Sequence, residues 1–147
     1  FHITLKFLGG VEAPRLSALW RSVHQALDGS RPFALCFHGV GAFPNPKRPR
    51  VIWAGITDGA PELAELAAQV EQVCADHGFE PEERPFHAHL TLGRARHPSP
   101  NAALAAVMAE MSDAELGEAH MDRVVLMKSE LTRTGAIYHL LEQKLLG

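Results

Sequence analysis

The sequence has 147 residues, of which 46% are hydrophobic and 21% are charged, and its formal net charge is −3. This length and composition are typical of a soluble globular domain that is large enough for a substantial core. No apolar run approaches the roughly 18–20 residues that span a bilayer, so no membrane association is predicted. The negative net charge excludes a surface that is basic throughout, as a protein that coats long nucleic acids would have.

The first half of the chain predicts a strand, a helix, two strands and a helix. Residues 1–8 indicate a strand, because Ile3, Leu5 and Phe7 alternate with other residues. Pro14 begins a helix with one apolar stripe that ends near residue 27. Strands follow at 32–41 and 51–56, separated by a proline-containing loop, and a second helix runs from about Pro61 to residue 76.

The second half predicts the same order of elements again. After an acidic loop at 80–85, residues 86–95 indicate a strand and residues 102–111 a helix. Strands at about 120–131 and 136–145, joined by a turn at 132–135, indicate a hairpin. The full order is β-α-β-β, then α, then β-α-β-β, which predicts an internal duplication.

Each predicted half begins with the same short motif. His2-x-Thr4-Leu5 and His89-x-Thr91-Leu92, called here the first and second tetrads, lie 87 positions apart. On a strand the His and Thr side chains share one face, about 6.5–7 Å apart. An imidazole can give or take a proton near neutral pH, and a hydroxyl can donate to an anionic oxygen. Two tetrads facing each other would therefore suit in-line displacement at phosphorus.

Other residues of the sequence leave alternatives open. His87 shares a face with His89, so a His-x-His metal pair is a rival interpretation of the second tetrad. Trp53 is either part of the core or a stacking surface for a base. Cys36 and Cys74 lack metal-ligand spacing and are expected to be free thiols, which suits the cytoplasm. Two basic groups could contact phosphates or form part of a mixed-charge surface: Lys47, Arg48 and Arg50 in one loop, and Arg94, Arg96 and His97 after the second tetrad.

Four short segments together resemble one known family. They are His2-Ile-Thr-Leu-Lys-Phe-Leu-Gly9, then Gly41-Ala-Phe-Pro44 with Pro49-Arg-Val-Ile-Trp-Ala-Gly55, and then His87-Ala-His-Leu-Thr-Leu-Gly-Arg94. The sequence resembles the two-histidine phosphoesterase superfamily, and within it the bacterial and archaeal RNA 2′,3′-cyclic phosphodiesterases, historically called 2′-5′ RNA ligases.

The resemblance implies a fold class. It implies an α+β fold of two lobes, in which two antiparallel sheets flank a central cleft and the helices lie outside. Residues 1–147 are then expected to form one phosphoesterase domain. Family members carry a further strand and helix ahead of the first tetrad, so we expect this sequence to lack that N-terminal β-α segment.

The resemblance also implies an activity, hydrolysis of a 2′,3′-cyclic phosphate on an RNA end or a nucleotide to a 2′-phosphate, without metal or cofactor. His89 would be the general base and His2 the general acid, although these two roles could be exchanged. Thr4, Thr91 and Arg94 would contact the phosphate, and Phe43 or Trp53 the base. The alternatives are 2′-5′ end-joining of RNA by the same site and a non-catalytic RNA-binding module. A cytoplasmic monomer without a stable protein partner is expected.

Overall fold

The structure, a computed structural model, describes residues 1–95, 99–133 and 135–147. Within these ranges the strands form a four-stranded antiparallel sheet of order β3-β2-β1-β4, called sheet A, and a two-stranded antiparallel sheet β5-β6, called sheet B. The predicted α+β class with two antiparallel sheets is therefore confirmed. The elements in chain order are α1 (Ala13–Ala26), β1 (Phe33–Phe43), β2 (Val51–Ile56), α2 (Ala60–Asp76), β3 (His89–Arg94), α3 (Ala102–Glu110), β4 (Glu115–Met121), β5 (Arg123–Thr132) and β6 (Gly135–Leu145).

The main core lies between α1 and α2. Both helices begin with a proline in the first turn, where the missing N–H needs no partner. Their apolar stripes face each other, and the last residues of the chain close the cluster. No helix in the described ranges has the length and apolar character needed to cross a membrane. The buried members of this core are Leu19, Val23, Leu27, Leu66, Val70, Cys74 and Leu146.

Residues 1–8 do not form the predicted strand. No pairing of this segment with a strand is found among the described residues, and a strand without a partner cannot satisfy its backbone groups. Leu5 and Leu8 pack against the main core, whereas Phe7 is 72% exposed. The apolar alternation that predicted a strand therefore holds only as far as Leu5.

The predicted strand at 120–131 is two strands that belong to different sheets. Residues Glu115–Met121 form β4, which pairs with β1 in sheet A, and Arg123–Thr132 form β5, which pairs with β6. β4 contains Glu, Gly, Ala and His but no β-branched residue, so its own residues indicate a strand only weakly. The second half therefore has one strand more than the predicted repeat.

The two cysteines are free, as predicted. Cys74 is buried in the main core, but Cys36 on β1 is only partly buried. Hydrogen bonding and charge from Asp58, together with desolvation, raise the pKa of the Cys36 thiol, so it stays protonated near neutral pH.

Candidate active site

The second tetrad lies on β3, at the edge of sheet A. Its neighbour is β2, where Gly55 is the partner of His89 and Trp53 is the partner of Thr91. Partners in an antiparallel pair share a face, so the imidazole, the hydroxyl and the indole lie on one surface. The His89 Nδ1 atom lies 2.7 Å from the carbonyl oxygen of His87. A carbonyl only accepts, so Nδ1 carries the proton and Nε2 is available to a ligand.

Aromatic rings hold the His89 imidazole in place. Phe43 makes edge contacts with His89 at 5.2 Å and with His87 at 5.3 Å between ring centroids. Trp53 lies 5.3 Å from Phe43 and 5.2 Å from His87. On β1, a Cβ atom at Gly41 would overlap the Trp53 indole. The glycine thus allows the indole to lie flat against the sheet beside the second tetrad.

A bulge in β3 places Arg94 on the face of the tetrad. Thr91 pairs with Trp53, but Gly93 pairs with Ile52 and Arg94 with Val51, so Leu92 is an extra residue in the ladder. Strict alternation puts Arg94 on the opposite face from His89, together with Leu92. The extra residue reverses this parity, and Leu92 is itself 46% exposed instead of facing a core.

The first tetrad lies in the segment before α1, next to sheet B. The His2 ring makes an edge contact with Tyr138 of β6, with 4.5 Å between ring centroids. His2 is accessible to solvent and has no hydrogen bond to any residue of the described ranges. Partial desolvation, then the charge of the Phe1 amino group and then that of Arg94, lower the pKa of His2. Arg94 lies on β3, the strand of the second tetrad, and its charge thus acts on the histidine of the first.

Lys6 fastens the segment of the first tetrad to the rest of the molecule. Its ammonium group lies 2.9 Å from a carboxylate oxygen of Glu71 on α2 and donates to the Glu80 carbonyl at 2.8 Å. The Glu71 carboxylate also accepts from the Glu82 backbone N–H at 2.9 Å. The Lys6 side chain is 4% exposed, so this ion pair is shielded from water.

The basic loop at 44–50 has a fixed backbone. Asn45 accepts hydrogen bonds through its side-chain oxygen from the backbone N–H groups of Lys47 and Arg48. The Arg50 carbonyl accepts from the N–H of Ala95, directly after β3. The loop therefore lies beside Arg94. No ion pair or side-chain hydrogen bond of Lys47, Arg48 or Arg50 to a described residue is found. Arg96 and His97, which were grouped with Arg94 as possible phosphate contacts, lie outside the described residues.

No group of three or more metal-ligating side chains is found in the ranges that the structure describes. His87 and His89 lie 5.8 Å apart between ring centroids, and the His89 Nδ1 atom already donates to a carbonyl. The His87 ring packs against Phe43 and Trp53. In this structure the His-x-His pair therefore has an aromatic environment and not a ligand set.

A cleft of about 380 Å³ lies beside Trp53. His38, Trp53 and His87 line it together with residues of α2, but neither His2 nor His89 does. The His38 imidazole faces Asp113 at 3.3 Å. This cleft borders the second tetrad without containing it, so we do not place the reaction there.

Comparison with known proteins identifies the family. The 2′-5′ RNA ligase superfamily matches residues 1–133. The chain belongs to this superfamily. It is 39% identical to an RNA 2′,3′-cyclic phosphodiesterase of Aeropyrum pernix, over 94% of this chain and 77% of that protein. A protein of the same name from Methanothermobacter thermautotrophicus is 37% identical, over 93% of this chain and 73% of that protein.

Solved structures of similar proteins support the same assignment. The crystal structure of TT0787 of Thermus thermophilus has a TM-score of 0.79 and 27% identity, covering 99% of this chain and 77% of that one. The crystal structure of Escherichia coli LigT complexed with 3′-AMP has a TM-score of 0.77 and 26% identity, covering 99% of this chain and 76% of that one. The expected membership of the two-histidine phosphoesterases is confirmed.

For this superfamily member, the structure brings most of the predicted site residues together. His89, Thr91, Arg94 and Trp53 share one face of sheet A, and Phe43 contacts His89. His2 lies against Tyr138 of sheet B, and Arg94 is one of the charges that lower its pKa. Thr4 is exposed, next to His2 in the same segment.

One aromatic neighbour of His2, Tyr138, was not predicted from the sequence. It lies 85 positions after Trp53, close to the 87 that separate His2 from His89. Each tetrad histidine thus has an aromatic neighbour, Trp53 for His89 and Tyr138 for His2, and each comes from the other half of the chain. The spacing of 85 positions between Trp53 and Tyr138 could therefore have predicted this neighbour.

Proposed function

We propose that this protein hydrolyses 2′,3′-cyclic phosphates on RNA ends or nucleotides to 2′-phosphates. Curated relatives named RNA 2′,3′-cyclic phosphodiesterase, at up to 39% identity, support this activity. The structural observation that carries the proposal is that the register of β3 with β2 places His89, Thr91 and Arg94 on one face of sheet A. The charge of Arg94 also contributes to lowering the pKa of His2 in the first tetrad, after desolvation and the Phe1 amino group. Two imidazoles from different parts of the chain then serve one reaction centre.

In-line displacement needs an acid and a base on opposite sides of phosphorus. In our proposal, Nε2 of His89 accepts a proton from water, and the water oxygen forms a bond to phosphorus. The bond from phosphorus to the 3′ oxygen breaks, and His2 gives its proton to that oxygen. His89 lies in sheet A and His2 beside sheet B, an arrangement that suits attack and departure from opposite sides.

The remaining site residues would stabilise negative charge and orient the nucleotide. Thr4 and Thr91 are proposed to donate hydrogen bonds to the non-bridging oxygens, and Arg94 to neutralise the charge that builds on them. Phe43 or Trp53 would contact the base, since aromatic faces stack on bases of any sequence. Trp53 supports this role because it is only partly buried and shares a face of sheet A with Thr91 and His89.

The basic loop supports an RNA strand as the substrate. Its cations are not neutralised by described protein groups, and the loop is joined to the residue after Arg94. Phosphates of the strand that precedes the cyclic end could pass over it. Both tetrads come from one chain, which suits a monomer, and the free thiols suit the reducing cytoplasm.

The test is to incubate the protein with 2′,3′-cyclic AMP in EDTA and to separate the products by chromatography. We expect 2′-AMP to accumulate with no added metal. No turnover by the intact protein would overturn the enzymatic proposal. Turnover that stops only on metal removal would favour the His-x-His alternative. Release of 3′-AMP would overturn the assignment of the 3′ oxygen as the leaving group.

A further inference from the structure

We propose that the cleft beside Trp53 receives the nucleobase of the nucleotide that carries the cyclic phosphate, and that His38 distinguishes one base from another. His38 is then a specificity-determining residue, which contacts the substrate and takes no part in proton transfer. This inference rests on the proposed function, because it assumes that the cyclic phosphate lies at His89. The binding of the base can nevertheless be tested without turnover.

A row of three residues across sheet A connects the second tetrad to the cleft. His38 on β1 and His89 on β3 are both partners of Gly55 on β2. Since partners in antiparallel pairs share a face, the two histidines lie on one surface with the glycine between them. Neighbouring strands are about 4.8 Å apart, so roughly 10 Å separates the two histidine backbones. Gly55 has no side chain to fill this space, and both Gly55 and His38 line the cleft.

Trp53 forms an aromatic wall of the cleft. A Cβ atom at Gly41 would overlap its indole, and a Cβ atom at Gly55 would lie 3.5 Å from it. The indole therefore packs on the backbone of two glycines. The His87 ring, 5.2 Å from the indole between ring centroids, also lines the cleft. Aromatic rings stack on bases of any sequence, so this wall would bind a base without selecting it.

The size and position of the cleft suit a nucleobase. Its volume of about 380 Å³ is in the usual range for small-molecule sites, about 300–1,000 Å³. Ala60 and Ala64, at the start of α2, line it with small side chains that leave room for a ring. The Trp53 and His89 rings lie 6.5 Å apart between centroids. A base at Trp53 and a phosphate at His89 can therefore belong to one nucleotide.

His38 provides the selective contact. Its side chain is 33% exposed, and its Nε2 atom faces a carboxylate oxygen of Asp113 at 3.3 Å. A carboxylate only accepts, so a neutral imidazole carries its proton on Nε2 and presents Nδ1 as an acceptor. Cytosine has an amino donor at the position where uracil has a carbonyl acceptor. A carbonyl facing Nδ1 would leave two acceptors unpaired, so we expect His38 to favour cytosine over uracil.

The kinetic test compares kcat/KM for 2′,3′-cyclic CMP and 2′,3′-cyclic UMP, which differ at this one position of the base. We expect the wild-type protein to prefer the cytidine compound by about 3–10-fold, the value of one neutral hydrogen bond. His38→Phe keeps a ring but loses the acceptor, and it should abolish the preference. Trp53→Leu should lower kcat/KM for both compounds by about 10-fold, because stacking does not select. No preference in the wild-type protein, or an unchanged preference in His38→Phe, would overturn the proposal.

His120→Phe is the matched control. His120 lies on β4, where its partner is Ala34, four positions from His38 along β1. We expect this variant to keep the wild-type preference. If His120→Phe abolished the preference as His38→Phe does, a general change in sheet A would explain both, and the specific role of His38 would be rejected.

The binding of the base is tested by NMR titration of the wild-type protein with 2′-CMP, which requires no turnover. The ring signals of His38 and the indole signals of Trp53 should shift, and those of His120 should not. If they shift while the protein hydrolyses no cyclic nucleotide, the proposed function fails and the base site stands. If cyclic nucleotides are hydrolysed while the His38 signals stay unchanged at saturating 2′-CMP, this inference fails and the proposed function stands.

Discussion

The two tetrads have the same residues but are held in different ways. The second is part of a four-stranded sheet, where pairing with β2, a hydrogen bond to the His87 carbonyl and two aromatic rings fix His89. The first lies in a segment without strand pairing to the described residues, where His2 has one ring contact and no hydrogen bond to any of them. The described contacts of the second tetrad thus include strand pairing, and those of the first are side-chain contacts.

This difference teaches where the site is sensitive to distant changes. Displacing His89 would require disruption of a sheet, which is a cooperative structure with many hydrogen bonds. Among the described contacts of the first tetrad segment, the ion pair between Lys6 and Glu71 is the most shielded.

The largest effects should come from removing either imidazole. We expect His2→Ala and His89→Ala each to lower kcat/KM for 2′,3′-cyclic AMP by about 10²–10⁴-fold, the usual contribution of an acid or base. His120→Ala, on β4, is the control and should retain the wild-type rate. A near-wild-type rate in either tetrad variant would remove that histidine from the mechanism.

The next largest effect should come from removing the positive charge of Arg94, which lies on the strand of the second tetrad and acts on His2 of the first. Arg94→Met should lower kcat/KM by about 10–100-fold, the value of a hydrogen bond to a charged group. It should also raise the pKa of His2, because Arg94 is one of the positive charges that lower it. NMR titration of the His2 ring measures this shift, and an unchanged titration midpoint would contradict the electrostatic effect of Arg94 on His2.

The same variant distinguishes the acid from the base. If His2 is the acid, activity requires its protonated form, so the alkaline limb of the pH profile of kcat/KM should move to higher pH. If His2 is the base, the acidic limb should move to higher pH instead. Movement of neither limb would show that His2 does not limit the rate through its protonation.

A smaller effect should follow from disturbing the aromatic surroundings of the second tetrad. Gly41→Ala adds a methyl group where the Trp53 indole lies, and we expect it to lower the free energy of unfolding by about 1–3 kcal/mol. Gly93→Ala, on β3, meets no atom within 4 Å and is the control. Chemical denaturation compares the two. Equal stability of both variants would contradict the close packing of the indole on β1.

The smallest effect should come from the basic loop. We expect Lys47→Ala combined with Arg48→Ala to raise KM for a short oligonucleotide with a cyclic end by about 3–10-fold and to weaken its salt dependence. Arg21→Ala combined with Lys128→Ala removes two cations elsewhere and should leave this KM unchanged. An equal rise of KM for 2′,3′-cyclic AMP would show that the loop does not act on the strand.

The sequence predicted the elements whose signals are local. The helices that begin near Pro14 and Pro61 and the strand at 51–56 agree with the structure within a residue or two, because apolar periodicity and proline position mark them. The pairing of the two tetrads in one site was predicted from their repetition 87 positions apart and remains a prediction. Their chemical roles remain predictions that the kinetic tests address.

The errors arose where structure depends on distant partners. Residues 1–8 have the pattern of a strand, but a pattern cannot supply the neighbour that a strand requires. At Asp122, where the chain changes sheet, the carbonyl accepts a hydrogen bond from the backbone N–H of Leu146, 24 positions away. The parity of Arg94 depends on a bulge relative to β2. None of these features is encoded by the residues around it alone.

The bulge in β3 also has a consequence for regioselectivity. The position equivalent to Arg94 in the first tetrad segment is Phe7, which is 72% exposed. A site with two matching halves would bind a cyclic phosphodiester equally well in two orientations, with either ester oxygen near a given imidazole. In the proposed mechanism, the Arg94 guanidinium, whose equivalent in the first tetrad segment is Phe7, would make the two orientations unequal in energy. The extra residue at Leu92 would then determine which orientation is favoured.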